Sequence, residues 1–172
     1  MPTTINLKIK RCEGPDGEAF WEDFELPYKP SMNIISCLME IQKRPVNAKG
    51  QKTVPVVWES CCLEEVCGAC SMVINGRVRQ ACSALVDKLT QPITIEPMTK
   101  FPKVRDLRVN RQSMFENLKR VKAWINIDGT HDLGPGPRMS ATEQQIGYEL
   151  SRCMTCGCCL EACPQVNPHS KF

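Results

Sequence analysis

Long apolar runs are missing from this 172-residue chain. No stretch of about 18 apolar residues occurs, which excludes a membrane-spanning helix, so any membrane link must come through a partner. No secretory signal opens the chain: Met1-Pro2-Thr3-Thr4 leads straight into a strand-like run. Histidine is scarce. His131 and His169 are the only two, neither falls within a ligand spacing, and both read as ordinary polar residues. There is no Ser-His-Asp set, no phosphate loop and no carboxylate pair placed for acid–base work, so no residue is assigned a catalytic role. Repeats and low-complexity tracts are absent as well.

What remains is a chain that can fold. At 42% hydrophobic it can build a core, and its length suits one ordinary domain or two small ones. The net charge of +3 hides an asymmetry. Between Lys100 and Lys122 eight basic residues face only Asp106 and Glu116, a local +6, so the rest sums to −3. Such a stretch could dock an acidic partner face or anionic lipid, but more commonly it is a solvated helix face. No recognised nucleic-acid module accompanies it, so nucleic acid is not an expected partner.

Cysteine is abundant: 12 thiols, roughly 7% of the chain, just under the range that marks a disulfide scaffold. Without a signal peptide, metal or redox roles are the commoner reading. Cys62, Cys67 and Cys70 stand at C-x4-C-x2-C spacing and Cys82 follows, the plant-type ligand pattern for a 2Fe–2S cluster. A loop carrying three thiolates can wrap a binuclear cluster with its backbone N–H groups turned toward sulfur. Gly68 sits inside that loop, where a side chain would obstruct close backbone approach. Asn75-Gly76 is a strong hairpin signal that folds Met72-Val73-Ile74 back on Val78 and returns Cys82 toward the first three thiols. The competing reading is a structural zinc site, but zinc usually pairs two C-x2-C knuckles and only Cys67/Cys70 is present here. Cys61 is one residue out of register, and Cys12 and Cys37 read as small packed hydrophobes.

The surrounding pattern places this loop. Ile5, Leu7 and Ile9 alternate with polar residues as a half-buried strand. Gly14-Pro15-Asp16-Gly17 is a turn, and Phe20, Phe24 and Leu26 share one face of a second strand. Asn33 caps a helix over Ile34, Ile35, Leu38 and Ile41 that stops by about Arg44, before Pro45. Val54 to Trp58 reads as a short buried strand leading into the cysteine loop, and Ile93/Ile95 as another. A small mixed sheet with one helix across it is the natural packing. The texture changes near Pro97 to Pro102. Beyond it Met114, Leu118, Val121 and Ile125 recur at helical spacing, Asp128 to Met139 is a Gly/Pro-rich crossing, and Ser140-x-x-Glu143 is a capping box opening a helix toward Ser151.

A second cysteine group follows. Cys153-x2-Cys156-x2-Cys159-x3-Cys163-Pro164 matches the bacterial ferredoxin run, in which the first three thiols hold a 4Fe–4S cube and the fourth serves a different cluster. No Cys follows Cys163. A cube on Cys153, Cys156 and Cys159 lacks its fourth thiolate, and Cys163 lacks its co-ligands. Another chain supplies them, or the sequence is cut short. Cys158 falls outside the spacing rule.

Together these residues carry a family resemblance. Cys62-Leu-Glu-Glu-Val-Cys-Gly-Ala-Cys-Ser-Met-Val-Ile-Asn-Gly76, Ala81-Cys82, Phe101-Pro102-x-Val104-Arg105-Asp106-Leu107, Asp128-Gly129-Thr130 and Arg152 through Pro164 make the chain similar to the iron–sulfur subunits of succinate dehydrogenase and fumarate reductase. The resemblance implies an α+β chain: a beta-grasp 2Fe–2S ferredoxin-like domain over residues 1–100, then an all-α ferredoxin-type domain over 101–172, incomplete at its C-terminus. It implies that Cys62, Cys67, Cys70 and Cys82 hold the 2Fe–2S cluster, that Cys153, Cys156 and Cys159 hold three corners of a 4Fe–4S cluster, and that Cys163 is one ligand of a 3Fe–4S cluster. The family continues well beyond this C-terminus, and the missing part supplies the other ligands, so the second and third clusters are not expected to assemble on this chain alone.

The implied role is electron transfer in a succinate:quinone oxidoreductase, from the FAD of a flavoprotein subunit to membrane quinone at a cytochrome b anchor subunit, on the cytoplasmic face of the membrane. Fumarate reduction is the same wire run in reverse, and the residues do not set the direction. A zinc-stabilised cysteine-rich interaction module is the alternative from a different class.

Overall fold

The computed structural model describes residues 3–125 and 138–170. Asp128-Gly129-Thr130, His131 and most of the Gly/Pro-rich crossing lie outside the described residues. By internal contacts the chain forms two compact units, one from Met1–Asn110 with Cys156–Phe172 and the other from Arg111–Thr155.

The first unit is built on a hairpin. Strands β1 (Thr4–Arg11) and β2 (Phe20–Pro27) pair antiparallel along their full length. Period-two alternation puts Ile5, Leu7 and Ile9 inside, where all three are fully buried. Helix α1 (Ile34–Lys43) follows, with the Asn33 side chain accepting from the Ser36 N–H at 2.8 Å. That cap satisfies one of the N–H groups every helix start leaves unpaired. Ile34, Ile35, Cys37, Leu38 and Ile41 form its buried stripe. Burial pushes the Cys37 thiol up to about 12, so it behaves as an uncharged core residue.

Strands β3 (Ser71–Ile74) and β4 (Arg77–Gln80) form the second hairpin, with Val73 opposite Val78. Asn75 and Gly76 turn it with φ of 48° and 75°, the left-handed pair a two-residue loop requires. After a single 3-10 turn (Val86–Lys88), β5 (Ile93–Glu96) enters the middle of the sheet. It runs parallel to β1, with Leu7 beside Ile93, and antiparallel to β3, with Ile74 beside Ile95. The strand order is β2-β1-β5-β3-β4. Helix α1 and the inner face of this mixed sheet share one core, the beta-grasp arrangement expected.

Two short strands, β6 (Lys103–Arg105) and β7 (Arg108–Val109), make a separate small hairpin. Residues 101–110 and 156–172, assigned from sequence to the helical part, group here with the sheet. Phe101 and Leu107 are buried, and Asp106 is tied to Arg11 of β1. The second unit carries α2 (Gln112–Arg120) and α3 (Ala141–Ser151) among its described residues. The reciprocal Ser140/Glu143 capping box opens α3 as expected.

Two expectations are corrected. Val54 to Trp58 is not a strand. Val56 is buried, but Val54 is exposed, and this backbone bonds to side chains and a turn instead of a ladder. Arg11 donates to the Val54 carbonyl, Asp106 accepts from the Val57 N–H, and the Leu107 N–H donates to the Val57 carbonyl. Pro55, with no N–H, fits this role better than a sheet position. The helical period through Ile125 also breaks early. α2 ends at Arg120, Val121 is exposed, and Lys122 turns the chain with φ of 50°.

Candidate iron–sulfur site

The sheet edge places the first cysteine group. β3 begins directly after Cys70, and β4 returns to Ala81-Cys82, so the hairpin register sets the fourth thiol beside the third. The Ala81 N–H donates to the Cys70 carbonyl at 3.1 Å. Asn33 adds a second hold: while its oxygen caps α1, its Nδ2 donates to the Cys82 carbonyl at 2.8 Å. One side chain thus ties the start of the helix to the fourth thiol's backbone.

The other two thiols lie in an irregular loop that turns its N–H groups inward. Cys62 Sγ accepts from the N–H groups of Glu64, Val66 and Cys67 at 3.4, 3.3 and 3.3 Å. Cys67 Sγ accepts from those of Cys62 and Ala69 at 3.5 and 3.4 Å. Leu63 and Glu65 both take φ of 62°, and Gly68 takes 70°. Left-handed conformations at two non-glycine residues cost about 1–3 kcal/mol each and persist only where the surroundings demand them. Here they aim N–H donors at sulfur. Ser83 closes the rim by donating to Glu65 at 2.8 Å.

The electrostatics follow from these donors. Hydrogen bonds from Glu64, Val66 and Cys67 lower the Cys62 thiol from its ordinary 9.0 to about 7. Cys70 goes the other way, raised to about 11 chiefly by burial, with Cys82 as its neighbour. Cys62 and Cys67 are joined by reciprocal N–H···S bonds, and the Ala81 N–H on the Cys70 carbonyl brings Cys82 beside Cys70. Among the described residues no three Cys, His, Asp or Glu side chains converge as a single metal ion would need. The N–H groups turned toward Cys62 and Cys67 are what sets these two thiols apart. Negative sulfur is what such a cradle stabilises.

The second group is partly gathered. Helix α4 (Cys158–Ala162) carries Cys158 and Cys159, with Cys163 as its C-cap. The Glu161 carboxylate fastens α4 to the sheet unit by accepting from the Thr99 N–H, the Thr99 hydroxyl and the Lys100 N–H at 2.9, 2.7 and 2.9 Å. The thiol of Cys158 feels both Cys156 and Cys159 nearby, although burial is the main reason it rises to about 11. Cys156 is half-buried and Cys159 exposed, while Cys153 belongs to the second compact unit.

Sequence reading missed Arg11 and Asp106. Arg11 is 4% exposed and Asp106 2%, and the carboxylate also accepts from the Cys12 and Val57 N–H groups. This knot anchors the segment that enters the cysteine loop. A lone Arg at a strand end and an Asp in a turn give no local signal of it.

Comparison with known proteins adds four findings. Residues 6–116 match the 2Fe-2S iron-sulfur cluster binding domain family. The chain is 62% identical over 169 residues to the succinate dehydrogenase iron-sulfur subunit of Bacillus subtilis, covering 98% of this chain and 67% of that protein. It is 30% identical over 146 residues to the fumarate reductase iron-sulfur subunit of Wolinella succinogenes, covering 83% of this chain and 58% of that protein. Its fold resembles a chain of the Mycobacterium smegmatis Sdh1 complex in the apo form, with a TM-score of 0.72 at 21% identity, covering 98% of this chain and 67% of that chain.

Proposed function

The chain belongs to the family of succinate dehydrogenase iron–sulfur subunits, and from that membership we propose that it is the electron-transfer subunit of a succinate:quinone oxidoreductase. A 2Fe–2S cluster supplies a one-electron relay when bound. The residues that would hold it are Cys62, Cys67, Cys70 and Cys82. The observation that carries this reading is the inward set of five N–H donors on Cys62 and Cys67, with Cys70 and Cys82 at the two ends of the β3–β4 hairpin.

The rest of the chain orients this cradle. Asn33 holds the Cys82 backbone, Ser83 holds Glu65, and the Arg11–Asp106 knot holds the approach to Cys62. Burial of Cys70 and Cys82 keeps water from one side of the site, while Leu63 and Val66, with Glu64 and Glu65 between them, are exposed on the loop.

Cys153, Cys156 and Cys159 would hold a 4Fe–4S cluster and Cys163 would serve a 3Fe–4S cluster, with further ligands from outside these residues. A 2Fe–2S domain over 1–100 followed by a mainly helical ferredoxin-type part over 101–172, in which the β6–β7 hairpin and residues 156–172 group with the sheet, is part of the same proposal. So are the partners: an FAD-containing flavoprotein subunit, a membrane-anchor cytochrome b subunit and quinone. Among the described residues no helix is long and apolar enough to cross a membrane, which accords with peripheral attachment at the cytoplasmic face through the anchor.

The test is iron and sulfide analysis with EPR of the dithionite-reduced chain. Two irons per chain with a 2Fe–2S signal is the expected result. Stoichiometric zinc without visible absorbance would sink the proposal.

A further inference from the structure

The loop carrying Cys67 and Cys70 rests directly on the backbone of Cys156. A methyl group built on Gly68 would lie 2.6 Å from both Cα and Cβ of Cys156 and 2.8 Å from its nitrogen. Ordinary carbon contacts begin near 3.4 Å, so any side chain at Gly68 forces the two loops apart by about 0.8 Å. The obstruction is mostly backbone, which cannot swing aside as a flexible side chain can. A second tie lies beside the first. The Ser71 hydroxyl donates to the Gly68 carbonyl at 2.9 Å, and the Cys158 thiol lies 3.7 Å from the Ser71 oxygen that it can then use as acceptor. The chain Gly68–Ser71–Cys158 thus joins the first cysteine loop to the second through two hydrogen bonds.

We propose that Gly68 and Ser71 are positioning residues that fix the spacing between the two cysteine groups, with Cys158 serving as a tether rather than a ligand. This rests on the cluster assignment made above. Electron tunnelling decays exponentially with the gap, so backbone contact without an intervening side chain gives the closest approach the chain allows. The raised left-handed φ of 70° at Gly68 is a separate demand for glycine, and it must be distinguished from the contact. Gly76 provides the comparison: its φ is 75°, yet nothing lies within 4 Å of a methyl group there.

The experiment compares Gly68→Ala, Gly76→Ala and Ser71→Ala with the wild-type chain. N-ethylmaleimide alkylation of Cys158 is followed by mass spectrometry, on iron-loaded and on iron-free protein. In the intact enzyme complex, microwave-power saturation of the reduced 2Fe–2S EPR signal reports how strongly a neighbouring paramagnet relaxes it. Gly68→Ala is expected to speed Cys158 alkylation and to make the EPR signal saturate at lower power. Ser71→Ala should speed alkylation of Cys158 while the two irons stay bound. Gly76→Ala should match wild type in both readouts. Equal behaviour of Gly68→Ala and Gly76→Ala would overturn the contact role, as would a Cys158 no more reactive in Ser71→Ala than in wild type. If the wild-type chain binds no iron, the cluster assignment fails, while the alkylation series on iron-free protein still decides the tether.

Discussion

The guanidinium of Arg11 grips the carboxylate of Asp106 at two points, Nε to Oδ1 at 2.8 Å and Nη2 to Oδ2 at 3.2 Å, with almost no solvent on either side chain. The same carboxylate takes the Cys12 and Val57 N–H groups, and Arg11 also meets Glu22 and the Val54 carbonyl. Strand β1, the 54–57 segment and the β6–β7 turn are thereby joined by one pair of charges. Removing Asp106 leaves Arg11 with Glu22 as its remaining carboxylate and leaves the buried Cys12 and Val57 N–H groups without their acceptor.

Asp106→Ala is therefore expected to cost about 3–5 kcal/mol in urea unfolding. Asp106→Asn should cost less, because Asn tolerates the φ of 46° and keeps an acceptor for the backbone donors. Iron retention should fall in the same order, since Val57 stands shortly before Cys62. Wild-type stability in Asp106→Ala would show that the knot is dispensable.

Serine substitutions separate ligands from neighbours. Replacing Cys62, Cys67, Cys70 or Cys82 should lower iron content or change the visible and EPR spectra. Cys61→Ser should leave two irons per chain, because the exposed Cys61 is one residue out of register. Iron loss in Cys61→Ser equal to that in Cys62→Ser would contradict the ligand assignment.

The iron-free chain should show opposite titrations at two of the thiols. Cys62 titrates near 7 in the folded chain, below its ordinary 9.0, so folding favours its thiolate. That contribution is present above pH 9 and is lost as pH falls from 9 through 7. Cys70, raised to about 11, favours the thiol, and its contribution is full below pH 9 and lost as pH rises through 11. Iodoacetamide should modify Cys62 with a midpoint near pH 7 and leave Cys70 unmodified at pH 8. Mass spectrometry of the alkylated sites checks both.

Helix α3 should depend on its cap. Ser140→Ala is expected to cost about 1 kcal/mol of helix stability, read by amide exchange across Ala141–Ser151. The Ser140 N–H and hydroxyl hold the exposed Glu143 carboxyl below its usual range. A depressed carboxylate supports the helix above the ordinary glutamate range and stops doing so as pH falls through its lowered value. Exchange protection should therefore drop on acidification in wild type and change little in Glu143→Gln.

Much of the site was legible because its signals are local. Thiol spacing, the Asn75-Gly76 turn, the Asn33 cap and the Ser140 capping box each act over a few residues. Their consequences appear in the structure as N–H···S bonds, a hairpin and two capped helices. The Val54–Trp58 strand misled because a run of β-branched residues does not say whether its backbone meets a neighbouring strand. Arg11, Asp106 and the loop bonds took that place. The helix period past Arg120 misled because apolar spacing can persist where the backbone has already turned, as Lys122 does.

The sequence by itself determined the thiol spacings, the order of the two cysteine groups and the alternation that builds the sheet. These follow from covalent spacing and side-chain periodicity, which need no knowledge of distant contacts. Only the tertiary structure decided that residues 156–172 return to the sheet and that Gly68 lies against Cys156. The contact of Gly68 with Cys156 depends on packing between segments far apart in the chain, and close packing leaves no room for a methyl group at the point where they meet.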